Sequence, residues 1–85
     1  MSTSELRAAA QELATKIDRE MAIMLAVRER LSEAHIQCAQ VFEGTSRQDI
    51  IDALTVISEV YTDVEEGAGK LGLAAHALQA YAEGL

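Results

Sequence analysis

The chain has 85 residues, a formal net charge of −7, no proline and a single cysteine. This length allows one small domain, and one cysteine excludes an internal disulfide. An acidic chain does not attract phosphate backbones or anionic lipids, so the charge argues against binding to nucleic acid or to a membrane surface. Helix-forming residues dominate and aromatic residues are few, which predicts an all-α fold.

The first predicted helix covers residues 4–42. Ser2, Thr3 or Ser4 can cap its start, and Glu5 adds a favourable negative charge to the first turn. Apolar residues then recur at alternating spacings of three and four, which is typical of a helix that packs along one stripe. Only Glu20 breaks this frame, and the neighbouring Met21 takes its place. This stripe follows Leu6, Ala10, Leu13, Ile17, Met21, Met24, Val27, Leu31, Ala34, Cys38 and Val41.

A turn is predicted at residues 43–46, where a strong helix stop meets a strong helix start. Gly44 can adopt a positive φ without strain, which suits the position just past a helix end. Thr45 and Ser46 are both favoured N-cap residues for the helix that follows. Phe42 is predicted to pack at the closed end of the molecule.

The second predicted helix covers residues 47–83 and carries a more regular stripe. Glycines at positions 67, 69 and 72 interrupt its helix-forming residues. Each glycine weakens a helix by about 1 kcal/mol relative to alanine. The glycines therefore predict a locally weak helix, or else a break near residues 67–72.

Together these patterns predict two long antiparallel helices that form a hairpin. A two-helix hairpin encloses no core, and both helices carry apolar residues beyond one stripe, so a second surface is needed. Two hairpins packed as a four-helix bundle supply that surface. The predicted interface residues are Leu13, Ile17, Met24, Leu31, Ile50, Leu54, Ile57, Tyr61, Val64, Leu71 and Leu78.

No catalytic or cofactor-binding arrangement is visible, and no uncharged apolar stretch approaches a membrane span. His35 and Cys38 lie one helical turn apart, with Asp49 and Asp52 expected across the hairpin. These residues match no recognised metal-ligand spacing, so packing is the preferred interpretation and no metal site is predicted. The chain is expected to be a non-catalytic protein-binding module.

Two helices of about forty residues joined at Phe42-Glu43-Gly44 resemble the Trp-X-Gly small helical proteins of type VII secretion systems, with phenylalanine in place of tryptophan. The layout is also similar to the small helical partners of Leu-X-Gly toxins. The resemblance implies an antiparallel homodimer or heterodimer of hairpins, or a hairpin that binds the helical N-terminal region of a larger effector. It also implies recognition by an export ATPase.

The family's secretion signal is Tyr-X-X-X-Asp/Glu, which makes Tyr81 the candidate signal residue. Leu85 occupies the position of the acid, so the resemblance favours a member whose partner supplies the signal. No cleavable signal peptide is expected, and the implied location is cytoplasmic before export. The alternative is a non-secreted coiled-coil hairpin that serves as an adaptor or a structural homodimer.

Overall fold

A computed structural model describes all 85 residues as two helices, α1 (Thr3–Val41) and α2 (Gln48–Glu83). The helices run antiparallel and form a rod of 63 × 15 × 14 Å. There are no strands. The predicted all-α hairpin is therefore confirmed.

The start of α1 has the expected cap, whereas the start of α2 does not. The Ser2 hydroxyl accepts a hydrogen bond from the Glu5 amide at 3.2 Å. The predicted caps of α2, Thr45 and Ser46, are wrong: the chain stays non-helical through these residues, and Arg47 is the N-cap without a side-chain cap hydrogen bond. The Arg47 guanidinium instead binds the carboxylate of Asp49 at 2.8 Å.

Gly44 supplies the backbone geometry of the turn. Its φ is +81°, and it is the only residue with a positive φ. The Thr45 amide donates to the Phe42 carbonyl at 3.0 Å, which closes the turn around it. A Cβ built at Gly44 would meet nothing within 4 Å. Glycine is therefore required there for its backbone angle rather than for space.

The glycines of α2 do not break the helix, which is continuous from Gln48 to Glu83. A Cβ at Gly67 would lie 2.7 Å from Met24 Cε, and one at Gly72 would lie 3.3 Å from Met21 Sδ. Gly67 and Gly72 therefore leave room for methionines of α1. Gly69 has no neighbour within 4 Å and is exposed.

One chemical change at two glycines is expected to have opposite effects on stability. Gly69→Ala should raise the free energy of unfolding by about 1 kcal/mol, because alanine is the better helix former and the site is open. Gly44→Ala should lower it by about 1–2 kcal/mol, because φ is positive there. Urea unfolding of both variants checks this, and stabilisation by Gly44→Ala would contradict the turn geometry.

The buried core is small and consists entirely of alanine. Only five residues are buried, namely Ala10, Ala14, Ala68, Ala75 and Ala82. No large side chain is fully buried. The leucines, isoleucines and methionines between the helices are half-buried at most, so the single hairpin covers only part of its apolar surface.

Candidate protein-binding surface

The residues that face α2 overlap only in part with the predicted stripe of α1. We call the contact line between the helices the hairpin seam. On α1 it combines the row Ala10, Ile17, Met24, Leu31 and Cys38 with the row Arg7, Ala14, Met21, Arg28 and His35, each row spaced by seven residues. Leu13, Ala34 and Val41, which belong to the predicted stripe, are exposed. The whole first row and Met21 of the second row belong to the predicted stripe, whereas the other members of the second row do not.

Two arginines of α1 make polar contacts with α2 across the seam. The sequence did not lead us to expect these contacts. Arg7 Nε donates to the Ala82 carbonyl at 3.2 Å. Arg28 Nη1 binds Glu65 Oε2 at 3.3 Å, while its buried Nε has no partner. Arg7 and Arg28 belong to one row of residues spaced by seven, Arg7, Ala14, Met21 and Arg28. This spacing was the signal in the sequence that could have placed both arginines at the seam. Long arginine side chains can pack their aliphatic parts along a helix while their charged ends reach polar groups.

The contacts across the seam define two broad faces of the rod. Arg28 and Glu65 pair on one face, which also carries Gln11, Ser58 and Gln79 and is called the polar face. Met24 reaches Gly67 on the opposite side of the seam. Residues that share the heptad position of Gly67 therefore lie on the opposite face, because positions seven apart lie on nearly the same side of a helix.

This opposite face carries most of the exposed apolar side chains. Nine large apolar residues within the helices are exposed. Helix periodicity places six of them on this one face, so their distribution is asymmetric. We call it the outer apolar face, and its residues are Leu13, Ile23, Val41, Val56, Val60 and Tyr81. Ile36 and Ile51 lie toward the polar face, and Leu73 lies on the back of α2.

The predicted interface residues lie along the hairpin seam and on the outer apolar face. Ten of the eleven are half-buried along the hairpin seam: Ile17, Met24, Leu31, Ile50, Leu54, Ile57, Tyr61, Val64, Leu71 and Leu78. Leu13 alone is exposed, at 49 %, because its heptad position turns it onto the outer apolar face. The seam therefore accounts for ten of them within one chain, and Leu13 lies outside it.

The two aromatic residues singled out in the sequence lie at opposite ends of the rod. Phe42 is the C-cap of α1 and remains 42 % exposed, so its ring only partly covers the closed end. Tyr81 is half-exposed near the open end and lies on the outer apolar face. Both rings are accessible to a partner.

His35 and Cys38 are half-buried along the seam of α1. A shallow groove on the polar side of the seam is lined by Leu31, Ser32, His35, Ile36, Ile57, Ser58 and Tyr61. Asp49 and Asp52 do not join His35 and Cys38, since no group of three or more His, Cys, Asp or Glu side chains could share a metal ion. The groove offers mainly apolar and hydroxyl groups.

Neither helix is long and apolar enough to cross a membrane. Comparison with family models, with curated proteins and with solved structures finds no match to this chain. The outer apolar face is therefore the feature on which a functional interpretation rests.

Proposed function

We propose that this protein is a non-catalytic binding module that pairs through its outer apolar face to form a four-helix bundle. The observation that supports this proposal is the large solvent-accessible surface area of the single hairpin. The hairpin exposes 6,032 Å², whereas a compact monomer of its mass exposes about 4,900 Å². The excess of about 1,100 Å² is comparable with the roughly 800 Å² that each partner buries in a standard interface.

The dimensions of the rod support the same proposal. A face 63 Å long and about 15 Å wide offers a footprint of roughly 900 Å². A second pair of helices seated on it would turn half-buried side chains such as Val27 into a central layer. This is the usual way in which amphipathic helices complete a core.

We further propose that the pairing serves a type VII secretion system. The chain would act there as a small secreted helical protein or as the targeting partner of a larger effector or toxin, and an export ATPase would recognise the complex. The hairpin layout, the Phe42-Glu43-Gly44 turn and the positive φ of Gly44 support this assignment. The exposed ring of Phe42 would be available to the export machinery.

A non-secreted hairpin adaptor or homodimer is the second candidate. The position of Tyr81 favours it, because a tyrosine on the outer apolar face would be covered by the pairing and would not be displayed as a signal. Leu85 also replaces the acid of the signal pattern. In this case the same face pairs, but no export follows.

Co-purification with the products of adjacent genes, followed by an export assay, tests the secretion proposal. We expect a stoichiometric helical partner and export of the complex. Phe42→Ala should lower stability by only about 1–2 kcal/mol, because the ring is already 42 % exposed, while it reduces export. Ile36→Ala is a control at a half-exposed residue toward the polar face. Pairing without any export would favour the non-secreted adaptor.

A further inference from the structure

The middle of the hairpin seam sets two methionines of α1 against small residues of α2. Met21 and Met24 are the only methionines within the helices, and both lie near the midpoint of α1. A Cβ at Gly67 would lie 2.7 Å from Met24 Cε, and one at Gly72 would lie 3.3 Å from Met21 Sδ. Ala68, between the two glycines, is buried. The two thioether side chains therefore fill the space that α2 leaves open at this height.

The two contacts stand on opposite sides of the seam. Met24 reaches Gly67 on the side of the outer apolar face. Met21 reaches Gly72, which shares the heptad position of Glu65 on the polar face. Both methionines are half-buried, so part of each side chain is open to small molecules while the hairpin is folded.

We infer that Met21 and Met24 form a peroxide-sensitive site, at which oxidation of the thioethers to sulfoxides opens the middle of the hairpin. A lone pair of the sulfur attacks one peroxide oxygen, so that an S–O bond forms as the O–O bond breaks. The proton of the transferred oxygen moves to the departing oxygen, which leaves as water, or as an alcohol when the peroxide is organic. Each sulfur is oxidised by two electrons and each peroxide is reduced by two, so no further reactant is consumed.

The glycines opposite the methionines are the reason that oxidation is unfavourable at this site. A sulfoxide oxygen accepts hydrogen bonds, and it loses free energy when it is buried without a donor. Gly67 and Gly72 have no side chain, and they lie within the continuous helix α2, where backbone amides donate to carbonyls of the same helix. The oxidised side chain must therefore turn outward to water. Its departure empties the space over the glycine, which costs stability as a cavity does.

Urea unfolding before and after peroxide treatment tests the inference, in chains that carry Cys38→Ser so that no thiol reacts. Conversion of both methionines by hydrogen peroxide should lower the urea midpoint by about 1 M. Methionine sulfoxide reductases of both stereochemical specificities should restore it. An unchanged midpoint after full conversion would overturn the inference.

The double variant Met21→Leu with Met24→Leu is the matched control. Leucine has a similar volume and no sulfur, so this chain should fold with little loss of stability. Met1 remains oxidisable in it and is 81 % exposed, so peroxide should leave the midpoint unchanged. A loss as large as that of the chain with both methionines would show that the effect arises elsewhere, and would also overturn the inference.

A single variant separates the seam from the outer apolar face. Met24→Leu leaves Met21 as the only oxidisable contact, on the side of the seam toward the polar face. Peroxide should still lower the urea midpoint of this chain, by about half as much as in the chain with both methionines. No loss at all would overturn the opening of the seam, because the effect would then belong to the outer apolar face alone.

Oxidation rates test the contact between Met24 and Gly67 directly. Met21 and Met24 lie in one tryptic peptide, residues 20–28, and its fragment ions distinguish them by mass spectrometry. Gly67→Ala forces Met24 Cε away from α2 toward solvent, so Met24 should be oxidised at least about twofold faster. Gly69→Ala is the matched control, because nothing lies within 4 Å of a Cβ there. Equal rates at Met24 in the two variants would overturn the packing on which the site depends.

Opening of the seam is a property of one hairpin and does not depend on the pairing proposed above. Pairing should nevertheless slow the oxidation of Met24, which borders the outer apolar face, and leave the rate at Met21 unchanged. Val60→Asp, which places a charge on that face, should remove this protection. Equal ratios of the two rates with and without Val60→Asp would contradict pairing through this face. A lower urea midpoint after oxidation would still support the peroxide-sensitive site, so failures of the two proposals are distinguishable.

Discussion

Replacing Val60 with aspartate is expected to weaken self-association by about 100-fold or more. Val60 is 40 % exposed in the hairpin and would lie in the centre of the outer apolar face when that face is covered. An ionised carboxylate buried there without a partner would cost several kcal/mol. Sedimentation equilibrium of the variant and of the unaltered chain measures the change in dissociation constant directly.

Leu73→Asp is the matched control for this substitution. Leu73 also lies in α2 and is more exposed, at 71 %, but it stands on the back of the helix. The same loss of an apolar side chain and gain of a charge should leave association within about threefold of its original value. Equal weakening by both substitutions would contradict the assignment of the binding face.

Val60→Lys tests whether association is weakened by the burial of any charge or only by a negative one. Asp63 lies one turn further along α2 and repels an aspartate at position 60 but attracts a lysine there. Both Val60 variants should dissociate if burial is the cause. The dissociated hairpin should also melt at a lower temperature, because only five alanines are buried within one chain and binding to the folded state raises stability. The melting temperature of the unaltered chain should therefore rise with protein concentration.

The sequence was sufficient to predict the two helices because each has a long apolar repeat, broken only at Glu20 in α1, and a single glycine-containing stretch separates them. Their observed bounds, Thr3–Val41 and Gln48–Glu83, differ by one residue at three of the four predicted ends. The second stripe also predicted the α2 side of the seam, from Ile50 to Leu78, since no charged residue interrupts it. A pattern of this kind can be recognised from the residues of one helix alone, without knowing what the helix packs against.

The α1 side of the seam could not be predicted in the same way. Arg7, Arg28 and His35 make its second row look polar, whereas Leu6, Leu13 and Val27 make the neighbouring row look like core. Which row faces α2 depends on contacts such as that between Arg28 and Glu65, and these exist only after the helices meet. The neighbouring row lies instead on the outer apolar face.

The prediction of the N-cap of α2 was wrong for a related reason. Thr45 and Ser46 are both intrinsically good caps, but residues 45–47 stay non-helical as the chain crosses from one helix to the other. The helix can begin only where the chain reaches the axis of α2, at Arg47 and Gln48. Geometry of the connection therefore overrides local preference at this end.

The substitution Ala14→Leu is expected to lower the free energy of unfolding by about 1–3 kcal/mol. Ala14 is completely buried, and the other buried residues near the open end, Ala10, Ala75 and Ala82, are also alanines. Small side chains let the two helices approach closely, so a leucine at this position would have to push α1 and α2 apart. Helix propensity contributes little to the change, because leucine is nearly as good a helix former as alanine.

The measurement is best made by urea unfolding of chains that also carry Val60→Asp, so that a change in dimer stability does not enter the result. Ala26→Leu, on the exposed back of the same helix, is the control and should change the free energy by less than about 0.5 kcal/mol. An Ala14→Leu chain as stable as this control would mean that the helices are not closely packed at the open end. In the chain with Val60 restored, splaying of that end would move Leu13 away from Tyr81 of the same face. Self-association should then weaken as well, because the two helices would no longer present one continuous outer apolar face.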